Sequence, residues 1–196
     1  MAGYPLIEID PAFDLDGWRR IMGGPADKKL IRLLRQAEGY LELSMPQQAL
    51  EALRKIEDPA DQEFPFHLLR GMAHRDLKDY PQSLVYLEAA AEINLKSVTL
   101  QMALAWCYKR TDQLPRAISA TEFAHQLDPK EPILMYNLAC YLALAREKDQ
   151  ALNWLGQALR ASPEILRMIP EESDFDPLRD DPDFVRMIEM AETPRN

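Results

Sequence analysis

The sequence predicts an all-α chain built as a stack of antiparallel helical hairpins, and three observations predict it. Apolar residues recur three and four apart through most of the chain, the period of an amphipathic helix and not of a strand. Small residues return every 34 positions. The runs are punctuated by Pro, Asp and Ser more than by glycine, since the 196 residues hold 15 Pro against 7 Gly.

The register is set by Ala37, Gly71, Ala105 and Ala139, where two helices must approach closely, with Tyr40, His74, Tyr108 and Leu142 three residues further on. A second set keeps the same offset: Ala49, Ser83, Ala117 and Ala151, then Leu53, Leu87, Thr121 and Leu155, then Ile56, Ala90, Ala124 and Ala158. A period of this length is one helical hairpin, which buries its apolar face only by stacking on its neighbours. The units run 30–63, 64–97, 98–131 and 132–165 without insertion. Pro46, Pro81 and Pro115 open the second helix of the first three, where a missing N–H costs nothing. Asp128-Pro129 and Ser162-Pro163 separate units in the same way.

The third and fourth units, LxxALAWCYKRTDQLPRAISATEFAHQLDP and YNLACYLALAREKDQALNWLGQALRASP, carry the small, aromatic and terminal proline positions of a known pattern. They resemble the tetratricopeptide repeat, and the resemblance extends over 136 residues, 30 to 165. It implies a right-handed superhelical stack, a tetratricopeptide-like α-solenoid, whose first helices line a concave face. Units one and two depart from the pattern, with Asp61 and Leu95 in place of the terminal proline and His74 and Ser83 at packing positions.

Residues 166–196 read as an acidic helical cap. Asp176-Pro177 and Asp181-Pro182 look like N-caps followed by proline, with Phe175, Leu178, Phe184, Val185 and Ile188 offered to the last hairpin. Residues 1–29 form an N-terminal extension with a short predicted helix, Asp16 to Met22, set off by Gly23-Gly24-Pro25. Its apolar strip, Tyr4, Leu6, Ile7, Ile9 and Phe13, is expected to dock on the first hairpin or to lie in the groove.

The formal charge is -9, and nine acids against Arg179 and Arg186 between 171 and 192 carry most of it. Without a basic stripe the chain cannot release phosphate counterions, which argues against nucleic acid as a partner. Cys107 and Cys140 lie inside apolar helical patterns and form no CxxC pair, so a reducing compartment is expected. No secretory signal is evident, and the longest apolar stretch, Ile133 to Ala145, is too short for a bilayer. A soluble, cytoplasmic protein with no membrane partner follows as the expectation.

No glycine-rich phosphate loop, nucleophile elbow or zinc motif is present, and no cofactor or metal is expected. His67 and His74 share a helix face but have no third ligand beside them, the acids of 174–183 lack an EF-hand's glycine and closing glutamate, and Cys140 has no neighbouring base. Catalysis is therefore not expected.

Carried onto this chain, the inward positions of the repeat family fall on Leu34, Arg35 and Glu38, on Leu68, Leu69, Met72 and Arg75, on Met102, Trp106, Lys109 and Arg110, and on Tyr136, Asn137 and Cys140. The partner-binding groove is assigned to Leu34, Arg35, Leu68, Met72, Arg75, Met102, Trp106, Lys109, Arg110, Tyr136 and Asn137, an apolar floor with a basic edge. Trp106 and Met72 are residue types that anchor a partner's apolar side chains, and the cations suit acidic groups. The carboxylate clamp of the family's co-chaperones is not matched, because Leu34 and Glu38 occupy clamp positions. The expected function is an adaptor or scaffold holding another protein or peptide. A chaperone dedicated to one client, self-association, and an enzyme with an unadvertised cofactor are the alternatives.

Overall fold

The structure is a computed structural model that describes residues 28–192. The expectations for the N-terminal strip and its short helix lie outside the described residues. Nine α-helices are present among them: α1 Lys28–Glu42, α2 Pro46–Leu53, α3 Glu63–Asp76, α4 Tyr80–Ile93, α5 Val98–Arg110, α6 Leu114–Leu127, α7 Pro132–Leu144, α8 Lys148–Ala161 and α9 Pro182–Glu192. Short 3-10 turns cover Ala60–Gln62, Pro163–Arg167, Ile169–Glu171 and Ser173–Leu178, and no strand occurs among the described residues.

Local chemistry sets the helix boundaries. Four second helices begin at Pro46, Tyr80, Leu114 and Lys148, each 34 residues after the last. The turn before each contains a non-glycine residue with left-handed backbone, and these too are 34 apart: Ser44 (φ 55°), Lys78 (φ 63°), Asp112 (φ 57°) and Arg146 (φ 63°). In three of these turns the following N–H closes back on the preceding helix, Met45 to the Tyr40 carbonyl, Asp79 to that of His74 and Glu147 to that of Leu142. This is the six-to-one bond that ends a helix by satisfying its orphan carbonyls. Pro46, Pro81 and Pro115 stand in the first turns of α2, α4 and α6, as expected.

The chain divides into two compact units, 28–111 and 112–192. In the first, α1 pairs with α2 and α3 with α4, while α1, α3 and α5 adjoin in that order. α1 buries Leu30, Ile31, Leu33, Leu34, Ala37 and Leu41, one stripe at helical spacing. α3 and α4 approach closely. A Cβ built on Gly71 would lie 2.5 Å from Cδ2 of Leu87, so only glycine fits there. Ser83, a departure from the repeat pattern, is fully buried and donates its hydroxyl to the Gly71 carbonyl at 2.7 Å. Its oxygen also lies 3.2 Å from Sγ of Cys107 on α5.

In the second unit α7 is the central helix, packed by α6, α8 and the 3-10 turn Ser173–Leu178. From Leu134 to Ala143 every residue except Asn137 is buried. Phe175, fully buried, sets its ring 5.8 Å from that of Tyr136 and 5.5 Å from that of Phe184, tying the closing segment to α7. Leu178 and Phe184 are buried as expected, whereas Val185 is exposed. Asp181 caps α9, accepting from the N–H groups of Asp183 and Phe184. Asp176-Pro177 does not start a helix, because both residues sit inside a 3-10 turn whose cap is the Glu172 carboxylate, which accepts from Asp174 N–H.

Candidate protein-binding surface

The two units differ in charge. Residues 28–111 hold 12 basic and 11 acidic side chains, and 112–192 hold 8 and 16. An acidic segment of a partner is therefore repelled less by the first unit, where α1, α3 and α5 lie side by side.

The assigned groove residues divide by burial. Leu34, Leu68, Met72 and Tyr136 are 0–2% exposed and belong to the core, a correction to the expectation of an open apolar floor. They face neighbouring helices because the stripe that each first helix presents is wide enough to be covered on both flanks. Arg75 is half-buried, its side chain 11% exposed and its guanidinium paired with Asp76 at 2.8 Å. Met102, Trp106, Lys109 and Asn137 are half-buried, and Arg35 and Arg110 are exposed. Arg35 joins Lys28, Ile31 and Arg32 around an open depression on α1. Tyr136 and Asn137 belong to the second unit.

Trp106 is the most distinctive of these. Four residues before Arg110 on α5, it shares that residue's face, while Ala103, Leu104, Cys107 and Tyr108 are buried. The Arg110 guanidinium carbon lies 4.6 Å and the Lys109 ammonium 5.0 Å from the indole centroid. Two cations on one half-buried indole make a surface apolar at its centre and positive at its edge. Tyr108 is held from the other side by a 2.9 Å hydrogen bond from its hydroxyl to Glu88.

A second aromatic and basic group, not anticipated from the sequence, lies on the α3/α4 hairpin. Tyr86 is stacked on by His67 at 6.2 Å and His74 at 5.4 Å, which explains two histidines seven residues apart without any metal. The Arg70 guanidinium sits 4.8 Å from the Tyr86 ring and 5.0 Å from that of Phe66. His74 is further held by Asp79 at 3.3 Å. Burial lowers the pKa of His67, with Arg70 adding to the effect and Glu63 opposing it. The sequence signals for this group are the i, i+4 pair Phe66 and Arg70 and the shared helix face of His67 and His74; Tyr86 comes from the next helix.

Cys107 is a packing residue. Burial raises its thiol pKa, only partly offset by the Ser83 hydrogen bond, so it is a poor nucleophile. No helix of the described residues is long and apolar enough to cross a membrane.

No family model matches this chain, and no curated protein matches it. Solved structures do. MamA AMB-1 is 15% identical with a TM-score of 0.65, covering 85% of this chain and 94% of that one. The chain shares a tetratricopeptide-like helical-repeat fold. A crystal structure of MamA is 16% identical over 78% of this chain and 88% of that one, with a TM-score of 0.63. MamA 41-end from Desulfovibrio magneticus RS-1 is 20% identical over 70% and 78%, again at 0.63. At such identities the likeness to MamA is one of fold alone.

Proposed function

We propose that this chain is a protein-binding adaptor, and that the α5 face of the 28–111 unit takes a partner segment carrying an apolar side chain beside acidic ones. The observation that carries this reading is Trp106, half-buried and flanked by Lys109 and Arg110. A folded chain gains little by leaving an indole partly in water, whereas an aromatic ringed by cations is a common anchor at protein interfaces. The shared helical-repeat fold supports binding as the general role without naming the partner.

The test is the double substitution of Trp106 and Arg110 by alanine, with wild-type chain as bait in parallel. Truncating an anchoring aromatic costs about 2 kcal/mol or more of binding, enough to lose a micromolar complex. A core aromatic of that size would instead cost about 3–5 kcal/mol of stability. The expected result is loss of the captured partner with an unchanged melting temperature. A variant that melts far below the parent makes Trp106 a core residue, and one that melts normally and still captures the partner places binding elsewhere.

A further inference from the structure

One motif of the sequence is taken up neither by the stack nor by the α5 surface: residues 4–16, YPLIEIDPAFDLD. Ile7, Ile9 and Phe13 alternate with Glu8, Asp10, Asp14 and Asp16, and no base stands among them. Such a strip is poorly matched to water, which its aliphatic and aromatic side chains avoid, and to an apolar core, which would strand four carboxylates. It is matched to a surface that is apolar at its centre and positive at its edge. The chain's other acidic stretch does not compete for that role, because its Phe175, Leu178 and Phe184 are buried within the second unit.

The 28–111 unit carries such a surface. Trp106 is half-buried on α5, with the Arg110 guanidinium 4.6 Å and the Lys109 ammonium 5.0 Å from its centroid. At the other end of the row α1, α3, α5, Lys28, Arg32 and Arg35 border the depression on α1, the helix into which residues 17–27 lead. That connection is long enough for the strip to reach α5. From Asp16 to Lys28 an extended chain spans about 40 Å. α5 lies two helices from α1, roughly 16–20 Å at the usual spacing of packed helices.

We propose that residues 4–16 are an intramolecular ligand of the α5 face, their apolar side chains against Trp106 and their carboxylates beside Lys109 and Arg110, so that the chain covers its own binding surface until a partner segment displaces the strip. This rests on the α5 reading above and names the resident occupant of that face. Tethering makes weak contacts sufficient. A segment joined by a short connection meets its site at an effective concentration on the order of 1 mM. A strip whose free peptide binds with a dissociation constant of about 0.1 mM then holds the face about nine-tenths of the time, and a competitor's apparent affinity falls about tenfold. The partner is thereby selected for stronger apolar and acidic contacts than the strip itself supplies.

The probe is a dye-labelled synthetic peptide of residues 4–16, titrated by fluorescence anisotropy against two full-length chains, the parent and a variant whose own strip carries Ile9→Ser, Asp10→Asn, Phe13→Ser and Asp14→Asn. The peptide is expected to bind the variant about tenfold or more tightly than the parent, whose own strip competes. Adding Trp106→Ala and Arg110→Ala to the variant is expected to weaken binding about tenfold or more. A second measurement decides the matter if the strip variant fails to fold. A nitroxide on Ala12→Cys, the native Cys107 and Cys140 being buried, is expected to broaden the Trp106 indole signal of its own chain and to spare that of an equimolar unlabelled copy. Equal affinity for parent and variant, no binding to the variant, or binding that survives loss of Trp106 and Arg110 overturns the proposal. So does an indole signal that the nitroxide leaves sharp, or broadening confined to the second copy, which makes the contact one between chains. If any of these occurs while the Trp106 and Arg110 double variant still loses its captured partner, the intramolecular ligand alone is refuted; capture that survives that variant refutes the α5 reading itself.

Discussion

Replacing Gly71 by alanine sets helix propensity against tertiary packing, and the structure decides which wins. Position 71 lies inside α3, where alanine is favoured over glycine by about 1 kcal/mol. The added methyl, however, would stand 2.5 Å from Cδ2 and 2.6 Å from Cγ of Leu87, with the Leu87 amide nitrogen at 3.3 Å. Leu87 is fully buried, so it cannot swing aside into solvent. Relieving the overlap moves α3 and α4 apart and stretches the 2.7 Å hydrogen bond from Ser83 to the Gly71 carbonyl. Overpacking of this kind costs about 1–3 kcal/mol and a strained buried hydrogen bond about 1 kcal/mol more. The balance is a destabilisation of about 1–3 kcal/mol, a fall in melting temperature of roughly 2–12 °C. Gly39→Ala is the control. Nothing lies within 4 Å of its Cβ, so that variant is expected to gain about 0.5–1 kcal/mol. Thermal melts by circular dichroism compare the two, and a Gly71→Ala variant that melts at or above the parent would refute the close approach of α3 and α4.

Lys78 and Arg146 both hold φ at 63°, which penalises any side chain, and glycine at either site is expected to add about 1 kcal/mol, read as a higher urea midpoint at unchanged slope. His67 has a folded-state pKa below its ordinary 6.5, so the unfolded chain takes up the proton first; this contribution is complete above pH 6.5 and is lost as pH falls from there through the folded value. His67→Phe is expected to lose less melting temperature than the parent between about pH 7 and about pH 5, and equal slopes would remove His67 from that dependence.

What could be read from residues alone was whatever short-range chemistry sets. The proline positions placed the starts of α2, α4 and α6, Asp181 capped α9, and the 34-residue spacing of small residues marked where Gly71 meets Leu87. The i, i+4 spacing of Trp106 and Arg110 put them on one face, and the guanidinium does lie over the indole. The sequence by itself thus determined an all-α chain with its turns in register, because helix period, proline placement and capping act over a few residues. Only the tertiary structure decided which flank of each apolar stripe is covered. It drew Leu34, Met72 and Tyr136 into the core and left Trp106 half-exposed, since an apolar position has the same pattern whether it meets a neighbour or water. It also brought Tyr86 between two histidines, and Glu172 and Asp174 to Cys140. These are contacts between elements distant along the chain, fixed by how helices pack and not by any local spacing.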